Sequence, residues 1–268
     1  MSFMYNPFPF DDPKPVNRPE LSEKTVKSII SGGNQNVVKK FVATLADRAA
    51  KEGVVVALDG YTTANWTVFV NLIARECCLL GLGFEAIDAN AATLKSGKEI
   101  DAIIDPLLIW DTKIDPTLLY GKVYKGGYQG LMDEARTEAF KKAVPASRQA
   151  GKISVVYGYG SLIPELRELY DVKVFFDLTP MKSMLRIRRG EYSNLGKERP
   201  GIINRTIRRC YYCDFECAVR NRHELWENNV PDWYVLDNDP QNLQLMPFGT
   251  FSDICAQLVK YPFRAKPC

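Results

Sequence analysis

A turn at residues 60–67 has the residue order of a phosphate-binding loop but lacks the residue that binds the phosphate. It follows an apolar run and precedes a helical pattern, which is where the motif G-x-x-x-x-G-K-[ST] occurs. Gly60 and Thr67 occupy the first and last motif positions, whereas Asn65 replaces the second Gly and Trp66 replaces the Lys. In the motif that Lys reaches the β- and γ-phosphates, and a neutral indole cannot replace a cation. The sequence therefore predicts that phosphate chemistry here is altered or lost, with a large side chain in the phosphate approach.

Three carboxylates are candidates for catalysis because of where they stand relative to the predicted strands. Asp59 ends the first strand pattern, Asp88 follows the second, and Asp111 lies in the insertion beyond it. A carboxylate at a strand end can act as a general base, and Asp59 with Thr67 could still coordinate Mg²⁺. The alternative is that these acids cap helices and initiate turns.

A second Gly-rich turn and a basic segment supply further candidate residues. Gly158 and Ser161 belong to a turn after a strand pattern, so its amides should face the same sheet edge as the first turn. Arginine forks suit phosphate oxygens, and we expect at least one of Arg186, Arg188 and Arg189 to reach an anion held between the two turns. The alternative is a solvated helix face paired with Glu191 and Glu198. The candidate binding residues are Gly60, Thr63, Trp66, Thr67, Gly158, Ser161, Arg186, Arg188 and Arg189.

Strand and helix patterns alternate along the chain and predict the scaffold that positions these residues. Apolar runs without alternation are typical of strands buried on both faces of a parallel sheet. With helices between them, they predict a three-layer α/β fold with a mostly parallel sheet. The predicted strands are 54–58, 84–87, 153–157, 172–176 and 233–236. The predicted helices are 66–82, 128–150, 162–170, 180–190 and 203–228, after a first helix over 21–51 that Ser22 would cap.

Bulk composition argues against several classes of protein. A length of 268 residues with 46% hydrophobic and 25% charged residues is ordinary for a globular protein, and a net charge of +3 is too small to indicate nucleic-acid binding. No apolar run approaches the ~20 residues that a membrane-spanning helix needs, and no signal peptide is visible. Seven Cys without such a signal favour reduced thiols in the cytoplasm.

The chain is expected to consist of a short arm and one domain. Residues 1–20 are rich in Pro and aromatic residues, which predicts an extended arm that packs on the domain or on a partner. Residues 21–268 would then form a single α/β domain. A homo-oligomer is a further expectation, because a Gly- and Tyr-rich loop at 120–130 could be a lid or an oligomer contact.

Three cysteines fall on one stripe of a predicted helix. Cys210, Cys213 and Cys217 are spaced at i, i+3 and i+7, and the single histidine, His223, follows them. Thiolates can bind Zn²⁺ or iron–sulfur clusters, but a continuous helix does not wrap an ion as the turns of structural metal sites do. Buried free cysteines are common, so we expect no metal here.

The stretch 155–190 resembles the uridine kinase and phosphoribulokinase family. The matching pieces are LRELYD at 166–171, VFFD at 174–177 and the arginines Arg186, Arg188 and Arg189. Together with the turn at Gly60, the resemblance spans about residues 53–260 and implies a P-loop kinase fold that takes a Mg-nucleotide and a small-molecule alcohol. The chain departs from this family at Trp66 and at Tyr157, where these kinases usually have a Glu that helps to organise the Mg²⁺ site.

A second resemblance is to a kinase-like domain attached to some long class I mannose-6-phosphate isomerase chains. It rests on RR at 188–189, NLG at 194–196, YYCD at 211–214, RH at 222–223 and YVLD at 234–237. The isomerase activity does not carry over, because that chemistry uses a His-containing zinc site and this chain has one His. The resemblance implies only a sugar-phosphate context.

These observations favour a protein that binds a phosphorylated small molecule, either a nucleotide or a sugar phosphate, with little or no phosphoryl transfer. Mg-nucleotide is disfavoured as a cofactor, and neither nucleic acid nor a membrane is expected as a partner. One alternative is an active ATP-dependent kinase in which a displaced cation such as Lys95, Lys98 or an arginine of 186–209 replaces the missing Lys. Another is an interaction subunit whose site is vestigial.

Overall fold

The computed structural model describes residues 21–117 and 119–259 and is built on a six-stranded sheet. The strands are β1 (Val54–Gly60), β2 (Gly83–Asp88), β3 (Lys152–Tyr157), β4 (Val172–Asp177), β5 (Trp233–Leu236) and β6 (Gln244–Pro247). Their order is β2-β3-β1-β4-β5-β6, and all neighbours are parallel except β5 and β6. The five predicted strands are confirmed, whereas β6, with the short sequence QLMP, carries too weak a pattern to be predicted.

The central position of β1 determines which residues can meet. Every residue of β1 is buried, and the strand is hydrogen-bonded to β3 on one side and to β4 on the other. Because these strands are parallel, the segments that leave their carboxyl ends come together at one edge of the sheet. The turns after β1 and after β3 therefore lie side by side, as expected.

Ten α-helices lie within the described residues. They are α1 (Glu23–Ser28), α2 (Asn34–Glu52), α3 (Thr67–Leu79), α4 (Ala89–Thr93), α5 (Gly97–Ile104), α6 (Glu134–Ala146), α7 (Pro180–Arg188), α8 (Ile203–Arg209), α9 (Phe215–Glu227) and α10 (Phe248–Leu258). A π-helical turn, Cys210–Asp214, joins α8 to α9, so the helix predicted over 203–228 is confirmed as one segment with a wider turn inside it. Helices α4, α5 and α10 are not predicted from the sequence.

Two of the predicted helices differ from the structure. The stretch 162–170 is not an α-helix and contains only a 3₁₀ turn, Arg167–Leu169, because Pro164 disfavours the α conformation of Ile163. The helix predicted over 21–51 breaks between α1 and α2, where Gly32 and Gly33 have φ values of 94° and 90°. The predicted N-cap is confirmed, since Ser22 accepts a hydrogen bond from the Thr25 N–H at 3.1 Å.

Helices cover both faces of the sheet and give the fold three layers. On one face Phe41 of α2 and Phe69 of α3 pack together, and Phe69 meets Phe176 of β4. On the other face α5, α6 and α9 contribute Ile104, Phe140 and Leu225 to a second core. The three-layer, mostly parallel α/β fold is therefore confirmed.

The division into arm and domain stays a prediction. The arm at 1–20 lies outside the described residues, and so does the end of the predicted domain beyond residue 259. Of the helices that are described, none combines the length and the hydropathy that crossing a membrane requires.

Candidate functional site

The turn after β1 has the strand, turn and helix geometry predicted from the sequence. Gly60 ends β1, the Ala64 N–H donates to the Tyr61 carbonyl at 2.9 Å, and α3 begins at Thr67. A Cβ atom at Gly60 would lie 2.9 Å from the Phe176 carbonyl oxygen and 2.6 Å from the Cβ of Ala64. Only glycine fits there without movement of the backbone, so the first Gly of the motif has a clear structural reason.

The backbone N–H groups of this turn are bonded to the protein's own side chains. Thr63 donates to the Tyr159 hydroxyl at 3.1 Å, Asn65 donates to the Asp237 carboxylate at 2.8 Å, and Thr67 donates to the Asn65 side-chain oxygen at 3.2 Å. A phosphate-binding loop presents N–H groups of this kind to phosphate oxygens. Three donors that could hold an anion are therefore already bonded within the protein.

A buried ion pair lies against the same turn. The Arg186 guanidinium donates to the two carboxylate oxygens of Asp237 at 2.8 and 2.9 Å, and to the Thr63 carbonyl at 2.8 Å. The side chains of Arg186 and Asp237 are 5% and 0% exposed. Burial by itself lowers the pKa of Arg186, but the hydrogen bonds and the charge of Asp237 outweigh it and the pKa is raised. A cation thus reaches the turn, and a carboxylate neutralises it there.

The other two candidate arginines do not join this cluster. Arg188 and Arg189 lie at the end of α7 with exposed side chains, and Arg189 pairs with Glu191 at 3.0 Å. Their positions agree with the solvated-face alternative, and Arg186 is the arginine that reaches the turn.

Trp66 packs into the core. Its side chain is 8% exposed, and its ring lies edge-on to Tyr159 at 4.8 Å and to Phe176 at 6.5 Å between centroids. Such contacts add to the free energy gained by burying an indole. Asp237 and the Tyr159 hydroxyl bond the turn's amides while Trp66 packs among aromatic rings, so the prediction that Trp66 fills the phosphate approach stays a prediction.

Asp59 accepts hydrogen bonds from the second turn, as Asp237 does from the turn after β1. Its carboxylate accepts hydrogen bonds from the N–H groups of Gly60, Gly160 and Leu162 at 2.7 to 3.0 Å and from the Asn221 amide at 2.9 Å. The side chain is fully buried. Burial raises its pKa to about 6, although the four hydrogen bonds oppose the shift. Asp59 is therefore enclosed by donors, and a catalytic or metal-binding role would require it to give them up.

The remaining polar groups of the second turn are bonded locally. Tyr159 donates its N–H to the side-chain oxygen of Asn90 at 2.8 Å, and the Ser161 hydroxyl donates to the Gly158 carbonyl at 2.7 Å. Gly158 and Ser161 thus shape the turn and do not offer their polar groups to solvent. The anion expected between the two turns would find internal carboxylates at both.

The other two candidate acids lie at the surface and have separate partners. Asp88 caps α4 by accepting from the Ala91 N–H at 2.9 Å, and Asp111 accepts from the Lys113 N–H at 2.8 Å. Both side chains are exposed, and neither shares a hydrogen-bond partner with Asp59. The structure does not assemble the three acids into one site, and the cap-and-turn alternative describes Asp88 and Asp111.

Three residues that organise the site are not predicted from the sequence. Asp237 follows β5 just as Asp59 follows the first strand pattern, so the same strand-end rule could have identified it. Tyr159 lies between Gly158 and Gly160, whose pattern predicts a turn but assigns no role to the tyrosine. Asn221 lies within α9, and nothing in the local pattern signals its bond to Asp59.

The cysteine stripe lies inside the protein. Cys210, Cys213 and Cys217 are buried, and Cys213 and Cys217 belong to the core beside α5 and α6. Burial and neighbouring acidic groups raise the pKa of Cys210. In the part of the chain that the structure describes, no group of three His, Cys, Asp or Glu side chains is placed to hold a metal ion.

Comparisons with known proteins place most of the chain in one family. The family profile described as "Domain of unknown function (DUF8485)" matches residues 38–260. No curated protein matches the sequence. Nothing in the comparisons supports the resemblance to chains of mannose-6-phosphate isomerases.

Similar solved structures include several kinases at low sequence identity. A candidate fructose transport system kinase from Silicibacter sp. TM1040 matches with a TM-score of 0.46 and 14% identity, over 71% of this chain and 94% of that one. A candidate uridine kinase from Bacillus stearothermophilus matches with a TM-score of 0.45 and 12% identity, over 74% and 95%. Phosphoribulokinase from Rhodobacter spheroides matches with a TM-score of 0.40 and 11% identity, over 68% and 69%.

Proposed function

The chain belongs to the family described as "Domain of unknown function (DUF8485)", and we propose that it binds a phosphorylated small molecule on a kinase-like scaffold, with little or no phosphoryl transfer. The observation that supports the loss of phosphoryl transfer is the Asp237 carboxylate, which occupies one N–H donor of the turn after β1 and neutralises the cation that reaches this turn. It is bonded to the Asn65 N–H and to both outer nitrogens of Arg186. An internal anion therefore sits where a kinase of this architecture would hold a nucleotide phosphate.

Displacing that internal anion would be costly. A nucleotide phosphate would have to separate Arg186 from Asp237, and both side chains are almost completely buried. Removing one partner of a buried ion pair costs about 3–5 kcal/mol, since the other charge is left unpaired. This cost opposes nucleotide binding at the turn and accounts for the expectation that Mg-nucleotide is disfavoured.

The groups that would hold Mg²⁺ are also committed or absent. Asp59 is buried and accepts four hydrogen bonds, and Tyr157 stands where the resembled kinases have a Glu. Thr67 remains at the start of α3 with an exposed side chain. Phosphoryl transfer relies on metal and cationic groups to stabilise charge in the transition state. Their arrangement here supports binding in preference to catalysis.

The alternative of an active kinase with a displaced cation finds little support in the lysines considered for that role. The Lys95 ammonium group donates to the carbonyls of Gly130 and Met132, so it is engaged away from the turn after β1. Arg186 does reach that turn, but Asp237 neutralises it.

The interaction-subunit alternative is favoured by a different observation. Ile114, Leu119 and Tyr120, in the insertion after β2, are 67%, 66% and 62% exposed. Tyr211, beside α8, is 57% exposed. Leu119 and Tyr211 line the same surface pocket, and exposed apolar side chains that lie close together often mark a surface that contacts another molecule. A partner could therefore cover this insertion whether or not the protein also binds a small molecule.

Calorimetry and thermal shift with matched ligands test the proposal. We expect one or more sugar monophosphates or nucleoside monophosphates to raise the melting temperature, and the corresponding unphosphorylated sugars and nucleosides to leave it unchanged. ATP with Mg²⁺ should bind weakly or not at all. Micromolar affinity for ATP with Mg²⁺, or ATP-dependent phosphorylation of a small alcohol, would overturn the proposal, and so would the failure of every phosphorylated compound to bind.

A further inference from the structure

A cavity of about 440 Å³ lies between the end of α5, the segment 194–202 and α8, away from both Gly-rich turns. We refer to it as the basic cavity. Four cationic residues line it, and Asp105 is the acidic residue in the lining. The cationic residues are Lys197, Arg199, Arg205 and Arg209.

The charge in the basic cavity is only partly compensated. Lys197 and Arg209 both pair with Asp101, which lies beside the cavity. Within the described residues, Arg199 and Arg205 form no ion pair, and both side chains are exposed. Even after Asp101 and Asp105 are counted, two positive charges remain, which matches the charge of a phosphate monoester near neutral pH.

Two lining residues also carry buried polar atoms without partners. Thr206 and Arg209 are 3% and 5% exposed. The Thr206 hydroxyl and the Arg209 Nε have no hydrogen-bond partner in the described part of the chain, although the other two guanidinium nitrogens of Arg209 bond to Asp101 and to the Leu195 carbonyl. An unsatisfied buried donor is unfavourable and uncommon in native structures. A bound oxyanion would supply acceptors of the kind that these donors lack.

The lining favours a sugar phosphate over a nucleotide. Trp110 is the aromatic residue among the lining residues, and its ring already has the guanidinium groups of Arg208 and Arg205 at 4.9 and 5.6 Å from its centroid. A nucleobase would have to compete with these two cations for the faces of the ring, which is 39% exposed. Polar groups such as Asp105 and Asn194 would instead meet hydroxyl groups.

We propose that the basic cavity is the binding site for a small phosphorylated polyol or sugar, whose phosphate is held by Arg199, Arg205 and the inner wall at Thr206 and Arg209. This inference rests on the proposed function and gives it a location and a class of ligand. The volume suits a molecule of that size, since small-ligand sites start at about 300 Å³. Phosphate recognition is thus separate from the turn after β1.

Paired double variants test the location. In R199A/R205A two exposed arginines of the cavity are removed, and in R188A/R189A two exposed arginines of the same basic segment but outside the cavity are removed. The probes are inorganic phosphate, hexose monophosphates, the parent hexoses and AMP, each measured by calorimetry and thermal shift. We expect R199A/R205A to weaken hexose-phosphate binding by about 10- to 100-fold, because charge-assisted hydrogen bonds are lost. R188A/R189A should bind within about twofold of the wild type.

A third variant separates a ligand contact from a structural role. T206V removes an unpaired buried hydroxyl at nearly constant shape, so the free protein should be as stable as the wild type or more stable. The shift in melting temperature that the hexose phosphate produces should nevertheless become smaller. A T206V protein that is less stable but binds unchanged would refute the role of the inner wall.

The remaining outcomes distinguish the two proposals. If hexose phosphates bind wild type and R199A/R205A equally, the basic cavity is the wrong site and the proposed function stands. If AMP binds at least tenfold more tightly than every hexose phosphate, the ligand class is wrong. If no phosphorylated probe binds the wild-type protein, the proposed function and this inference both fail.

Discussion

Substituting Asp237 by Ala should destabilise the protein strongly and create an anion site at the turn after β1. The Asp237 carboxylate is fully buried and accepts hydrogen bonds from Asn65 and from both outer nitrogens of Arg186. Its removal leaves the Arg186 guanidinium, with a side chain only 5% exposed, without its counter-ion. Breaking a buried ion pair on one side costs about 3–5 kcal/mol, and we expect D237A to lower the free energy of unfolding by that amount.

The space that D237A opens is bordered by a cation and a free amide, so a small oxyanion should bind there and restore stability. A ligand that binds only the folded state at about 100 times its Kd stabilises it by about 2.7 kcal/mol. Chemical denaturation in sulfate or phosphate, with chloride at equal ionic strength, measures this recovery. Sulfate and phosphate stabilise many proteins through solvent effects, so the quantity of interest is the gain in D237A beyond that in the wild type.

Two control variants make the measurement specific. D239A removes an exposed acid two residues further along, and it should change stability little, since among the described residues its carboxylate accepts only from the Gln241 N–H. R186M/D237A removes both charges, so it should recover part of the lost stability and should not respond specifically to oxyanions. The reasoning is refuted if D237A is no less stable than D239A, or if oxyanions stabilise D237A and R186M/D237A equally.

Three further predictions concern the same two turns. Burial raises the pKa of Asp59 to about 6 from an ordinary value near 3.8, so its contribution to stability is fully present below about pH 4 and is lost as the pH rises through 6. Between pH 4 and pH 7 the free energy of unfolding should therefore fall by about 3 kcal/mol more in the wild type than in D59N. Parallel curves of unfolding free energy against pH would contradict this. W66K should lower the free energy of unfolding by about 3–5 kcal/mol, as the loss of a buried indole does. It should confer no ATP binding, because Asp237 still bonds to the turn, and a gain of ATP affinity measured by calorimetry would contradict this. Y159F leaves the Thr63 N–H without its acceptor and should lower the melting temperature by an amount corresponding to about 1–2 kcal/mol, whereas an unchanged value would mean that this hydrogen bond contributes nothing.

The fold follows from sequence patterns wherever a strand is long and buried on both faces. β1, β3 and β4 are mainly apolar runs because each is covered by helices on two sides, and their prediction is confirmed. β6 escapes prediction because a four-residue edge strand with Gln and Pro has no such pattern. The helix predicted over 162–170 is wrong because apolar spacing outweighed Pro164, which disfavours the α conformation of the residue before it.

The sequence predicts where the two turns lie but not which side chains bond to them. Strand-end reasoning places the turns at Gly60 and Gly158 at one edge of the sheet, and the structure agrees. Strand-end reasoning does not show whether a carboxylate points into a turn or out to a ligand, because that depends on which strands are neighbours. The partnership of Arg186 and Asp237 joins the helix after β4 to the end of β5, and no local pattern relates residues 51 positions apart.

A physical reason connects the two internal carboxylates to the loss of the motif's Lys. A turn that leads into a helix presents N–H groups and the positive end of the helix dipole, whether or not a phosphate is there to meet them. Burying these donors without partners would be unfavourable, so a protein that does not hold phosphate at such a turn needs another acceptor. At the turn that leads into α3, Asp237 supplies it at Asn65 and Asp59 supplies it at Gly60. Once the acceptor is a carboxylate neutralised by Arg186, a Lys at position 66 would add an uncompensated charge, and a buried Trp at that position instead adds apolar packing to the core.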